Sequence, residues 1–139
     1  MEAKKTYGKS RAGDLQVTDF VLVDTSVWVK HLREGDHHMA ELLEQGNVVC
    51  HPFIIGELAC GGLKNRDEIL GLLNNLPSTD LLDHSEVMEF IERRQIMNKG
   101  IGYIDVHLLG SGLVSETFLW TLDKALRKAA GLLSIRYEP

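Results

Sequence analysis

The chain has 139 residues, with 15 Lys and Arg against 20 Asp and Glu, giving a formal net charge of −5. At this length one domain is the expectation, burying roughly two-thirds of the surface of the unfolded chain. With 44% apolar and 25% charged residues the composition excludes a disordered or collagenous chain, and the acidic balance excludes a module that holds nucleic acid by its own charge alone.

Residues 1–19 carry charge and glycine without periodicity and read as a flexible leader, a disordered extension or tag, ahead of one domain over residues 20–139. Phe20-Val21-Leu22-Val23 is a short continuous apolar run, as in a strand buried on both faces. It stops at Asp24-Thr25-Ser26, where Ser26 is a good N-cap for a helix through Val27, Trp28, His31 and Leu32. Glu34-Gly35-Asp36 ends that helix, and a second over residues 37–45 sets Met39, Leu42 and Leu43 on one side. Val48-Val49-Cys50 is the next strand; Pro52 suits a helix start, and residues 53–59 continue as helix to Gly61-Gly62. A further helix starts at Arg66-Asp67-Glu68 and carries Ile69, Leu70, Leu72, Leu73 and Leu76 until Pro77 breaks it. Residues 79–82 suit a short edge strand. Ser85 opens an amphipathic helix through Phe90, Ile91 and Ile96, closed by Lys99-Gly100. A helix over residues 103–114, a strand over residues 118–122 ending at Asp123, a helix over residues 124–130 and a last strand over residues 132–137 complete the order. Strands alternating with helices give an α/β protein with a parallel sheet covered on both faces.

No apolar run approaches the ~20 residues needed to cross a bilayer, and the polar first segment has no secretory core. Cys50 and Cys60 are too few for a disulfide framework and lie in apolar stretches, so both read as small core side chains of a protein in a reducing compartment. A soluble, cytoplasmic protein without membrane contact is expected.

Four acids stand where the pattern asks for something else. Asp24 and Asp123 terminate apolar strands. Glu57 has Phe53 and Ile54 one turn before it and Cys60 one turn after, and Asp105 has Ile101, Leu108 and Leu109 as its helical neighbours. Asp and Glu are rarely buried without a partner. In an open parallel sheet, ligands bind outside the carboxyl ends of the strands, where the following helices begin, and topology can bring all four acids there. Helix N-termini favour each anion by ~0.3–1 kcal/mol, whereas two unit charges ~4 Å apart repel by roughly 4 kcal/mol at an effective dielectric near 20. A cluster of four therefore needs protons or cations. Hard oxygen donors suit Mg2+ or Mn2+, which bind through one or two carboxylates, water and substrate phosphate. Such an ion polarises water and offsets charge developing on a phosphodiester, which would let an acidic protein accept a polyanion. Any one of the acids could equally be an N-cap or a solvated helix start.

The ordered set Val-Leu-Val-Asp24-Thr25-Ser26-Val-Trp, Ile-Ile-Gly-Glu57-Leu, Gly-Tyr-Ile-Asp105-Val-His-Leu-Leu and Leu-Trp-Thr121-Leu-Asp123-Lys resembles the PIN-domain nucleases, and within them the VapC-type toxins of bacterial toxin–antitoxin pairs. The resemblance covers residues 20–137. It implies a three-layer α/β/α fold with a mainly parallel sheet of four or five strands, and a Mg2+- or Mn2+-dependent endoribonuclease. Asp24, Glu57 and Asp105 would be the principal metal ligands and Asp123 the fourth acid, with Ser26 and Thr121 as hydrogen-bonding residues of the site. It further implies an RNA substrate, a homodimer, and a cognate antitoxin whose tail fills the groove. The leader departs from the family pattern, whose members start almost at the first strand.

Other readings are weaker. His37 and His38 are adjacent and point apart, and Cys50-His51 has no second pair at zinc spacing. His107, two residues after Asp105, points away from it and reads as packing or surface. Trp28 and Trp120 read as core or dimer-contact residues, and Arg93, Arg94 and Lys99 as a solvated face. A haloacid-dehalogenase-type phosphatase needs a second acid where Ser26 stands, and a receiver-like switch needs an acceptor Asp and a Lys whose places are not evident. The principal alternative is a catalytically silent PIN module that binds a protein partner; against it, an unused repulsive cluster only destabilises.

Overall fold

The computed structural model describes residues 19–139; the expected leader lies almost wholly outside them. The apolar runs become three parallel strands, β1 (Val21–Val23), β2 (Val48–Val49) and β3 (Phe118–Trp120), in the order β2-β1-β3. Val21 stands opposite Val48 on one side and Phe118 on the other, and Val23 opposite Trp120. Every strand residue is buried, as an all-parallel sheet with helices on both faces requires.

The further strands expected at residues 79–82 and 132–137 are single parallel bridges, Cys50 with Ser78 and Leu119 with Arg136. Each bridge is tied by two backbone hydrogen bonds. Cys50 N donates to Pro77 O at 2.8 Å and Thr79 N to Cys50 O at 2.9 Å; Leu119 N donates to Ile135 O at 2.7 Å and Tyr137 N to Leu119 O at 2.9 Å. Pro77 has no N–H to extend the first ladder, and the last helix runs through Leu132 and uses the residues with which the final strand would begin. The parallel α/β/α arrangement is as expected, with edges one residue wide.

Among the described residues seven helices pack around these strands: α1 (Thr25–Glu34), α2 (His37–Glu44), α3 (Pro52–Ala59), α4 (Arg66–Asn74), α5 (His84–Arg94), α6 (Tyr103–Val114) and α7 (Lys124–Leu132). α1, α3 and α4 pack together; α6 packs on β3 and between α5 and α7. α6 is buried over Val106, Leu108 and Leu109, and Gly110 lets Leu82 and Phe90 approach where a side chain would collide.

Three local readings change. The N-cap of α1 is Asp24, and Ser26 lies inside the helix. α5 stops at Arg94 because Gln95 takes a left-handed conformation (φ 55°), well before Gly100. Cys60 is exposed, at the C-cap of α3, while Cys50 is buried; both are free thiols. Trp28 and Trp120 are buried, as core residues. Among the described residues no helix is long and apolar enough to cross a membrane.

Candidate active site

β1 is the central strand, and its chain leaves the sheet at Asp24, whose N–H donates to Trp120 O on β3 at 2.9 Å. That bond holds the carboxyl ends of the two strands side by side. The Asp24 carboxylate is buried (7% exposed) and does not cap its own helix. Its Oδ2 accepts two hydroxyl hydrogen bonds instead, from Thr121 at 2.7 Å and Ser26 at 2.9 Å. Thr121 Oγ1 also accepts from Asp123 N at 3.0 Å, and Ser26 Oγ accepts from Leu122 N at 3.0 Å. One polar mesh thus fixes the ends of β1 and β3 and leaves Asp24 Oδ1 without a donor among the described residues.

Asp123 is exposed and is the N-cap of α7, its Oδ2 accepting from Leu126 N at 2.9 Å. The capping role considered for any single acid therefore holds here, with Oδ1 outside it. Glu57, on the exposed side of α3, accepts a hydrogen bond at Oε1 from the Thr25 hydroxyl, the first residue of α1. Thr25 was not among the residues singled out from the sequence. A threonine at a helix start has ordinary local uses, and only tertiary packing of α1 on α3 reveals its partner; its place directly after Asp24 was the one available signal.

Asp105 lies half-buried in the first turn of α6. Its carboxyl titrates above the ordinary carboxylate value, first because burial removes water, then because Asp24, and after it Asp123 and Glu57, repel its charge; a hydrogen bond from backbone at Gly102 opposes this. Asp24, Glu57 and Asp123, on elements far apart in sequence, thus all act on Asp105. Among the described residues no Lys, Arg or His stands within ion-pair distance of any of them. Like charges so placed and left without a cation are the arrangement a divalent ion relieves. Among the described residues no group of three or more Asp, Glu, His or Cys side chains is placed to hold a metal ion. A Mg2+ ion held through one or two carboxylates, its own waters and substrate phosphate needs no such group, and carboxylate oxygens are the donors that a hard cation takes.

Histidines pack behind this edge. His107 is buried and meets Phe53 and Tyr103 edge-on at 4.6 and 4.7 Å between ring centres, in keeping with a packing role. His51, also buried, caps α3: Nδ1 accepts from Phe53 N at 2.9 Å, so the protonated Nε2 donates to Ser111 Oγ of α6 at 3.2 Å. Burial, and next the neighbouring His107, push the His51 pKa down to about 4. A neutral imidazole therefore ties the helix that carries Glu57 to the one that carries Asp105.

The PIN domain family model matches residues 21–132, which contain all four acids. The chain is 46% identical over 110 residues to Ribonuclease VapC32 of Mycobacterium tuberculosis, both in strain CDC 1551 / Oshkosh and in strain ATCC 25618 / H37Rv. The match covers 78% of this chain and 89% of each relative. On the residues, the sheet and these matches together, the chain belongs to the PIN-domain family and stands with its VapC-type members.

Proposed function

We propose that the protein is a divalent-metal-dependent endoribonuclease, the toxin of a toxin–antitoxin pair, acting in the cytoplasm as a homodimer and held silent by a cognate antitoxin. The observation that carries this reading is that Asp24, Asp123 and Glu57 all repel the Asp105 carboxylate, with no ion-pair partner for any of the four among the described residues. The 46% identity to a relative named as a ribonuclease supports it.

Asp24, Glu57 and Asp105 would hold Mg2+ or Mn2+, directly or through water, with Asp123 as the fourth acid. A bound ion supplies water activation and offsets the charge developing on the phosphodiester. The chain's own residues orient the donors. The Ser26 and Thr121 hydroxyls hold Oδ2 of Asp24 and would leave Oδ1 for the ion. Thr25 holds Glu57 in one rotamer. Cap formation holds Asp123 at the start of α7, and Asp105 sits half-buried where the charges of the other three act on it. Hydroxyl partners of this kind fix ligand orientation at small entropic cost when the ion arrives.

Incubation with tRNA, rRNA and mRNA fragments, with Mn2+ or with chelator, tests the reading. Cleavage is expected in Mn2+ only, and Asp105→Asn should abolish it while leaving the fold intact. Cleavage retained by a clean Asp105→Asn preparation would remove that residue from the mechanism. A parent inert toward every RNA would leave a silent binding module.

A further inference from the structure

Among the Phe, Tyr and Trp side chains of the described residues, Tyr103 alone is exposed (43%); the others are buried or half-buried. It is the first residue of α6, two before Asp105. Its ring is held in place from two sides. The hydroxyl shares a hydrogen bond with Nδ1 of His84, the first residue of α5, at 2.7 Å. The ring stands edge-on to buried His107, one turn along α6, at 4.7 Å between centres. His107 in turn meets Phe53 of α3 edge-on at 4.6 Å, and Phe53 lies one turn before Glu57. A series of packed rings thus runs from the solvent-facing Tyr103 inward to the helix that carries Glu57. A tyrosine has only two side-chain torsions to fix on binding, and these neighbours hold the ring before anything binds.

We propose that Tyr103 is the stacking platform for one unpaired base of the RNA and thereby a specificity-determining residue, selecting strands that can splay a base out at a fixed distance from the cleaved bond. The proposal rests on the ribonuclease reading and deepens it. A chain of net charge −5 gains little from a polyanion's phosphates, whereas stacking on an aromatic ring is indifferent to that charge and open to every base. Splayed bases in loops and bulges are where folded RNA is read in this way. At 100° per residue, Tyr103 and Asp105 leave α6 about 200° apart, on opposite sides of a helix ~10 Å across. The stacked base therefore belongs to a nucleotide about three along the strand at a rise of 3.4 Å, and not to the cleaved bond itself. What the platform selects is an unpaired position, with purines favoured by their larger face.

The test uses the full chain and a labelled oligoribonucleotide carrying a bond that it cleaves in Mn2+, mapped first in tRNA, rRNA and mRNA fragments. The base of each flanking nucleotide is removed in turn, leaving the sugar and phosphate. In the parent, loss of one base should lower kcat/KM roughly 5- to 100-fold, through KM and with kcat near its starting value. Tyr103→Ala and Tyr103→Leu should lower kcat/KM on the intact strand by a similar factor and should be indifferent to the loss of that base. Tyr103→Phe and Tyr103→Trp, which keep an aromatic face, should restore both the parent affinity and the sensitivity. A fragment too short to include that nucleotide should be cut equally well by the parent and by Tyr103→Ala. If no single base matters to the parent, or if Tyr103→Ala and Tyr103→Leu keep its kcat/KM or its sensitivity to the base, the proposal falls and the ribonuclease reading stands. A Tyr103→Ala chain that is monomeric where the parent is dimeric marks the ring as a subunit contact, and the proposal falls in that case too. A parent that cleaves no RNA overturns both.

Discussion

Asp105 holds its proton more tightly in the folded chain than in the unfolded one, because burial and three neighbouring charges oppose its ionisation. Below its ordinary value of 3.8 the carboxyl is neutral in both states and its contribution to stability is present in full. As pH rises through the raised folded value, the unfolded chain releases the proton more readily and that contribution is lost. In chelator at neutral pH, Asp105→Asn should therefore be at least as stable as the parent, by up to ~1 kcal/mol, since partial solvent contact screens the repulsion. Urea unfolding at several pH values checks this, and the difference should vanish toward the acid end. Thr25 gives a second residue-scale expectation. Thr25→Val frees Glu57 and should weaken Mn2+ binding about tenfold, whereas Thr25→Ser restores it; outer hydroxyls of this kind are worth roughly 10- to 100-fold. Calorimetric titration of the ion separates the two variants. The four acids stood out in the sequence because a charge in an apolar pattern is anomalous by itself. Thr25 did not, because nothing in a threonine at a helix start is out of place until α3 is seen beside it.

Between elements, His51 is the fastening of α3 to α6. Its pKa, pushed down to about 4, lies below the ordinary 6.5, so the unfolded chain takes up a proton that the folded chain refuses. Stability is full above pH 6.5 and should fall as pH drops toward 4, through this group alone by an amount that His51→Ala removes. The same variant should cost about 1–3 kcal/mol at neutral pH, from the lost cap and the lost bond to Ser111. Thermal unfolding of parent and variant at neutral and acid pH reads both effects. The central strands were readable from sequence because burial on two faces writes an unbroken apolar run. The sheet edges were not: a bridge of one residue, as at Ser78 and Arg136, leaves no period to detect. The N-cap of α1 was assigned to Ser26 for a similar reason, since Ser is an excellent cap, yet its hydroxyl serves the Asp24 carboxylate two residues earlier.

At the scale of the whole molecule, an acidic α/β protein brings Asp24, Glu57 and Asp123, from three different elements, near enough to Asp105 to repel its charge. The parallel sheet with helices on both faces was legible because it follows from connection rules that hold for any such chain. The cleft that opens beside Glu57 could not be read in advance, because its lining comes from α1, α3 and the segment before α4 and exists only once they pack. The direct test of the central claim is the melting temperature of the parent and of Asp105→Asn, each in chelator and in millimolar Mg2+ or Mn2+. A cation that binds the folded chain and relieves its repulsion raises the parent's melting temperature more than the variant's. Equal shifts in the two proteins, or none in the parent, would contradict the account.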